Sequence, residues 1–265
     1  MSAPVVSVIM PAHNAGRFIV DAIESVRAQT LTDWELIVVD DCSTDATPSI
    51  AWADAERDAR IRVLSNERGI GAAASRNRAL RHARGVYMAF LDSDDLWEPT
   101  KLERQVRCAR EQGAGIVYCS YALIDESGRR AFSDYLVPES TTYEEMLEES
   151  VIGCSTALVS GELARRFQFP TNVYHEDYAY WLRLLRGGAR AVGLREVLAS
   201  YRVRRGSRAS NKALSAVRRY RVYRDCLGLS RPICAHLMVR YLLNGIRKYA
   251  PLREGGIPTD REGVR

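Results

Sequence analysis

Residues 90–95 read FLDSDD and directly follow the apolar run VYMA at residues 86–89. At about 4 Å and an effective dielectric near 20, each close pair of these carboxylates would repel by roughly 4 kcal/mol. The residues alone leave two readings open. Asp suits turns and helix N-caps, so the stretch can be a solvated acidic turn ahead of a helix. Hard oxygen ligands also attract Mg2+ or Mn2+, which often reach protein through one or two carboxylates plus ligand phosphates. Other groups capable of chemistry are Pro11-Ala12-His13-Asn14, Asp40-Asp41, and the basic pair Arg76 and Arg78 behind Gly69 and Gly71.

Alternating strands and helices must position these groups. Residues 5–10 are a short apolar, β-branched run suited to a buried parallel strand, and Phe18, Ile19, Ala22, Ile23 and Val26 recur at helical spacing over residues 16–29. Further strands are expected at 34–39, 61–64 and 85–91, and further helices at 46–57, 71–83 and 99–112. Four such alternations predict an α/β fold whose mostly parallel sheet is covered by helices on both faces. Ligands of open α/β sheets bind outside the carboxyl ends of the strands. Pro11 to Asn14, Asp40-Asp41 and Asp92 to Asp95 all fall at such ends. One crevice would then join carboxylates to cations and helix N-termini, a combination suited to a metal-bound nucleotide diphosphate. No GxxxxGK[ST] loop is present and no GxGxxG follows the first strand.

Beyond residue 115 the pattern loosens. A strand at 115–123 leads to a hairpin-like SGRR turn at 127–130, an acidic helix at 142–150 and a mixed apolar segment at 151–159. A helix at 176–185 and a strand at 197–203 follow. Residues 1–205 read as one domain, and 206–265 as a basic helical extension. Within 231–250, Ala235, Met238, Val239, Leu242, Ile246 and Tyr249 share one face, which can lie in a membrane interface or pack on the domain.

Composition limits the partners. The chain has 265 residues, 46% hydrophobic and 27% charged, as expected of a soluble globular protein. The net charge of +5 suits an anionic ligand or membrane surface but is too weak to argue for nucleic acid. Six cysteines without CxxC or zinc-like spacing are expected to be reduced thiols in a cytoplasmic protein. No signal peptide or membrane-spanning run is visible.

Five motifs occur in family order: SVIMPAHNAGRFI, WELIVVDDCSTDAT, NERGIGAAASRNRAL, GVYMAFLDSDDLW and HEDYAYWLRLL. On these the chain resembles family 2 glycosyltransferases over about residues 4–203. It departs at Cys42, where the family often has Gly. The resemblance implies a GT-A fold and inverting transfer of a sugar from a nucleotide diphosphate, here a UDP-sugar, with Mn2+ or Mg2+. The acceptor would be a hydroxyl of a saccharide or lipid-linked saccharide used in surface polysaccharide or glycolipid synthesis. It also implies that Pro11, Ala12, His13, Asn14, Asp40, Arg76, Asp92 and Ser93 bind the donor, with Asp40 reading the base edge and Arg76 near the base or diphosphate. Asp94 would be the direct metal ligand, and Asp92 would lie near ribose or a metal-bound water. Asp177 would be the base and Glu176 an orienting or acceptor-binding group.

Residue types alone also allow blander roles. The first turn of a helix favours Glu176 and Asp177 through the macrodipole. Asp95 suits a cap, Trp97 a packing anchor, and Arg78 and Arg81 solvated helix positions. Tyr201-Arg202 fits a diphosphate contact or a structural strand end. A sugar-nucleotide-forming nucleotidyltransferase and a silent binding module are the competing functions. The first would normally carry a Gly-rich basic loop where this chain has PAHNAGR.

Overall fold

The computed structural model describes residues 3–204 and 212–249. The expected alternation is present: β1 (Val6–Ala12), α1 (Ile19–Arg27), β2 (Trp34–Asp40), α2 (Thr47–Arg57), β3 (Ile61–Ser65), α3 (Ala72–His82) and β4 (Tyr87–Phe90). Then come β5 (Leu96–Trp97), α4 (Lys101–Gln112), β6 (Ile116–Ile124), β7 (Arg130–Tyr135), β8 (Ser140–Thr141) and α5 (Tyr143–Glu148). The domain continues with β9 (Leu158–Ser160), α6 (Gly161–Arg166), α7 (Glu176–Arg186) and β10 (Ala191–Arg202). Two helices follow, α8 (Lys212–Arg221) and α9 (Arg231–Tyr249), with a π-helical turn at Val222–Cys226 between them.

Among the described residues the strands form one mixed sheet along the path β3-β2-β1-β4-β9-β6-β10-β5, with β7 beside β6 and β8 beside β10. β1 pairs in parallel with β2 and β4, β2 with β3, and β6 with β10. Alternate residues of one strand enter opposite cores, as the period of two requires. Ile9 packs with Phe90, Trp181 and Tyr223, whereas Val8 and Met10 pack with Ile23, Leu102 and Val106. Register sets Ala12 opposite Asp40, so the loops after β1 and β2 start side by side.

Several features differ from the sequence expectation, among them the short β5, β8 and α6, which it did not include. The segment expected only as mixed apolar contains a 3-10 turn at Cys154–Thr156 and then β9, which runs antiparallel between β4 and β6. A three-residue strand carries too little pattern to be read from sequence. β10 begins six residues before the expected strand, and its pairing with β6 has irregularities between Leu194 and Ala199 that interrupt the alternation.

α8 and α9 share the core of the sheet domain. Arg219 Nη2 donates to the Leu147 carbonyl at 3.1 Å and to Tyr178 Oη at 2.9 Å, and Tyr223 is fully buried. α9 packs through Cys234, Leu237 and partly Met238. Ala235, Val239 and Leu242, expected on one face with Met238, are exposed. The side chains of Ile246 and Tyr249 lie outside the described residues.

Candidate active site

The loops after β1 and β2 are stitched together before any ligand is considered. His13 Nδ1 lies 2.8 Å from the Asp41 carbonyl. The Asn14 N–H donates to Ser43 Oγ, and Asn14 Oδ1 accepts from the Thr44 N–H at 2.9 Å. Pro11 and Ala12, expected in the turn, are the buried last residues of β1; His13 and Asn14 form the exposed part. Asp40 ends β2 and is almost fully buried. Cys42 has φ 59°, a left-handed conformation that favours glycine, which accounts for the Gly common there in the family.

Asp41 is an internal clamp. Its carboxylate accepts from the backbone N–H groups of Ile70 and Gly71 and from Asn66 Nδ2, each at 2.8 Å. Burial opposes its charge, but these donors hold its pKa below the usual carboxylate range. Gly71, with φ 85°, then turns the chain into α3 and aims Arg76 inward. Arg78 is no solvated helix residue: Nη1 donates to the Ser65 carbonyl at 2.7 Å and also to Asn66 Oδ1.

The three carboxylates of FLDSDD separate into distinct environments. Asp95 points into the protein, 1% exposed, and accepts from Ser155 Oγ at 2.6 Å and the Arg202 N–H at 2.9 Å. Burial, then Asp92 and Asp94, push its pKa well above the usual range. Asp92 and Asp94 keep partly exposed side chains, 33% and 24%, toward the cleft. Ser155 fixes this loop by also accepting from the Asp92 N–H, while its carbonyl accepts from Trp97 Nε1 at 2.7 Å. Trp97 is 5% exposed and sits under Lys101, so it serves packing.

Arg76 joins the two halves of the cleft. Its Nη2 donates to Asp92 Oδ1 at 2.6 Å and its Nη1 to Glu176 Oε1, one hundred positions along the chain from Arg76, at 3.1 Å. The arginine is 4% exposed and lies over the Phe169 ring. Asp177 follows Glu176 in the first turn of α7. Burial, then the neighbouring Glu176, push its carboxyl up to about 6. The strand-end clusters brought Asp92 and Arg76 forward as candidates and the family resemblance brought Glu176, without indicating this direct contact.

Two groups in the site, Ser155 and Arg204, escaped sequence reading, and Arg202 takes the strand-end alternative of its two readings. Ser155 lies in a segment with no periodicity. Arg202 is buried and donates through Nε to the Asp94 carbonyl at 2.7 Å, which makes it a strand-end brace. Arg204, two residues further along an extended chain, ion-pairs with Asp94 Oδ2 at 3.2 Å. The YRVRR repeat of basic residues at a period of two was the available signal.

Asp92 and Asp94 fit a divalent cation in donor chemistry, and a cation would relieve their mutual repulsion. Burial, then Asp92, already raise the pKa of Asp94. No cage of three His, Cys, Asp or Glu ligands exists among the described residues, so phosphate and water would complete the coordination.

The profile of glycosyl transferase family 2 matches residues 7–182. The chain belongs to glycosyltransferase family 2. It is 39% identical over 245 residues to TuaG of Bacillus subtilis strain 168, named as a glycosyltransferase of teichuronic acid biosynthesis, covering 92% of this chain and 97% of TuaG. It is 35% identical over 247 residues to WfgD of Escherichia coli, a UDP-Glc:α-D-GlcNAc-diphosphoundecaprenol β-1,3-glucosyltransferase, covering 92% and 95% of the two chains. Staphylococcus aureus TarS 1-349 in complex with UDP-GlcNAc superposes with a TM-score of 0.71 at 22% identity, over 93% of this chain and 73% of that one. The mannosyltransferase PcManGT of Pyrobaculum calidifontis, in complex with GDP-Man and Mn2+, gives 0.67 at 21% identity over 97% and 78%. The fold is therefore GT-A and the protein is a glycosyltransferase, as the five motifs implied.

Proposed function

We propose that this glycosyltransferase moves a sugar, with inversion, from a UDP-sugar to a hydroxyl of a lipid-linked saccharide in cell-surface polysaccharide synthesis. One observation carries the reading: the buried Arg76 ties Asp92, on the donor side, to Glu176, beside the base, within one cleft. Asp40, with His13 and Asn14, holds the base and ribose, and Asp94 with Asp92 holds Mn2+ or Mg2+. When bound, that ion neutralises charge on the leaving diphosphate. Asp177 takes the proton of the attacking hydroxyl, and its pKa of about 6 leaves it ionised yet basic at neutral pH. Glu176 and Arg76 orient it. One in-line displacement needs no covalent intermediate.

The donor and acceptor classes are supported by the UDP-Glc and diphosphoundecaprenol in the name of WfgD. A carrier lipid would draw the enzyme to the cytoplasmic membrane face, and the exposed Val239 and Leu242 of α9 offer a contact there. No helix among the described residues is long and apolar enough to cross a membrane. Calorimetric titration of UDP with and without Mn2+ tests the donor assignment. Wild type should bind UDP far more tightly with Mn2+, and Asp94→Asn should lose that gain. Equal Mn2+ dependence in both would refute the metal role of Asp94.

A further inference from the structure

α8 presents Leu214, Val217, Arg218 and Arg221 at helical spacing toward the loop that leads into α7. Between them lies a cavity of about 470 Å³, also lined by Asn172 and Tyr174, within the range of small-ligand sites. None of the described lining residues is acidic. The Arg218 guanidinium stacks on the Tyr174 ring, 3.3 Å from its centroid, which fixes the orientation of its donors. Arg221 is exposed, and Leu214 and Val217 expose apolar surface beside the two cations. The helix is rigidly seated, because Arg219 on its opposite side is buried among Tyr178, Tyr223 and the Leu147 carbonyl. Tyr174 precedes Asp177 by three residues, so the cavity opens beside the start of α7.

We infer that this cavity holds the diphosphate head and first isoprene units of a prenyl-diphosphate-linked acceptor. The inference rests on the proposed lipid-linked acceptor and deepens it. Arginine matches phosphate with several directed donors, and two arginines complement the charge of a diphosphate. Leu214, Val217 and the Tyr174 ring give the adjoining hydrocarbon a dry wall. A donor nucleotide needs no such wall, so the apolar lining separates this cavity chemically from the cleft at Asp92 and Asp94. The sugar attached to the diphosphate would then extend toward Asp177.

The test is calorimetric binding of farnesyl diphosphate to the full-length protein, alone and at saturating UDP with Mn2+. Binding is expected in both conditions, with inorganic diphosphate much weaker. Arg221→Gln, at an exposed position, should weaken farnesyl diphosphate by roughly tenfold, the cost of one lost charge-assisted contact. Its UDP affinity should remain that of wild type. Val217→Asn, which adds polarity but no charge, should weaken farnesyl diphosphate while leaving inorganic diphosphate unchanged, which reports on the apolar wall independently of the arginines. Displacement of farnesyl diphosphate by UDP, or an unchanged affinity in Arg221→Gln, would overturn the assignment. If wild type binds UDP but no farnesyl diphosphate, this inference fails alone; if it binds no UDP, the proposed function fails first.

Discussion

Asp177→Asn should slow transfer severely and stabilise the protein at once, because the same burial that tunes the carboxyl also penalises its charge. Asn keeps the shape and can still accept from the Tyr178 N–H, the 2.8 Å contact that Asp177 makes. It cannot accept a proton, so turnover should fall by about 10²–10⁴-fold. The carboxyl titrates at about 6 when folded, above the usual Asp range, so folding favours its protonated form. The associated stability is fully present below the unfolded pKa and is lost as pH rises through 6. At pH 7.5 the displacement corresponds to a cost of up to ~3 kcal/mol, lessened because Asp177 is only partly buried. The variant should therefore melt several degrees above wild type at pH 7.5, at about 2–4 °C per kcal/mol. The difference should vanish near pH 4. Wild-type kcat/KM should fall on the acid side near pH 6 as the base protonates. The assay pairs transfer kinetics with melting curves over pH 4–8. Near-normal transfer would move the base elsewhere, with Glu176 next; an unchanged or lower melting temperature at pH 7.5 would refute the burial argument.

Arg76→Lys keeps one charge but cannot bridge Asp92 and Glu176 with a planar fork, so it should cost about 1–3 kcal/mol and weaken UDP binding together; denaturant melts and calorimetry check both, and a change in only one would break the proposed link. Cys42→Gly removes a left-handed penalty of about 1–2 kcal/mol against a glycine entropy cost of about 0.5–1 kcal/mol, so a small net gain in melting temperature is expected. A loss there would show that the Cys42 side chain contributes packing of its own. Val239→Glu with Leu242→Glu, both over half exposed, should reduce flotation with anionic vesicles and leave the melting temperature unchanged. Equal flotation would end the membrane-contact idea.

The mostly parallel sheet with helices on both faces was legible because β1 and β2 are buried, mostly apolar runs and α1 repeats its apolar residues at helical spacing. The clustering of Asp40, Asp92 and Asp94 at strand ends followed from that architecture. The fate of Asp95 did not. Its inward orientation depends on Ser155, sixty residues away in a segment without periodicity, and no local rule links them. Likewise Arg76 suggested an anion contact, but only the fold could show Asp92 and Glu176 as its two partners. Arg78 and Arg202 bond backbone carbonyls, which any surface arginine can do once the chain brings them near. On α9, several apolar residues are distributed around the helix, so periodicity alone did not identify the face carrying Cys234 and Leu237 as the packed one.

The central claim is tested most directly by the anomeric configuration of the product, read by NMR. The reaction would pair UDP-glucose, an α-linked donor, with a GlcNAc-diphospholipid acceptor, with Mn2+ present and again after EDTA. The account predicts a β linkage, loss of product on chelation and its return when Mn2+ is restored. An α linkage, or undiminished transfer in EDTA, would contradict it.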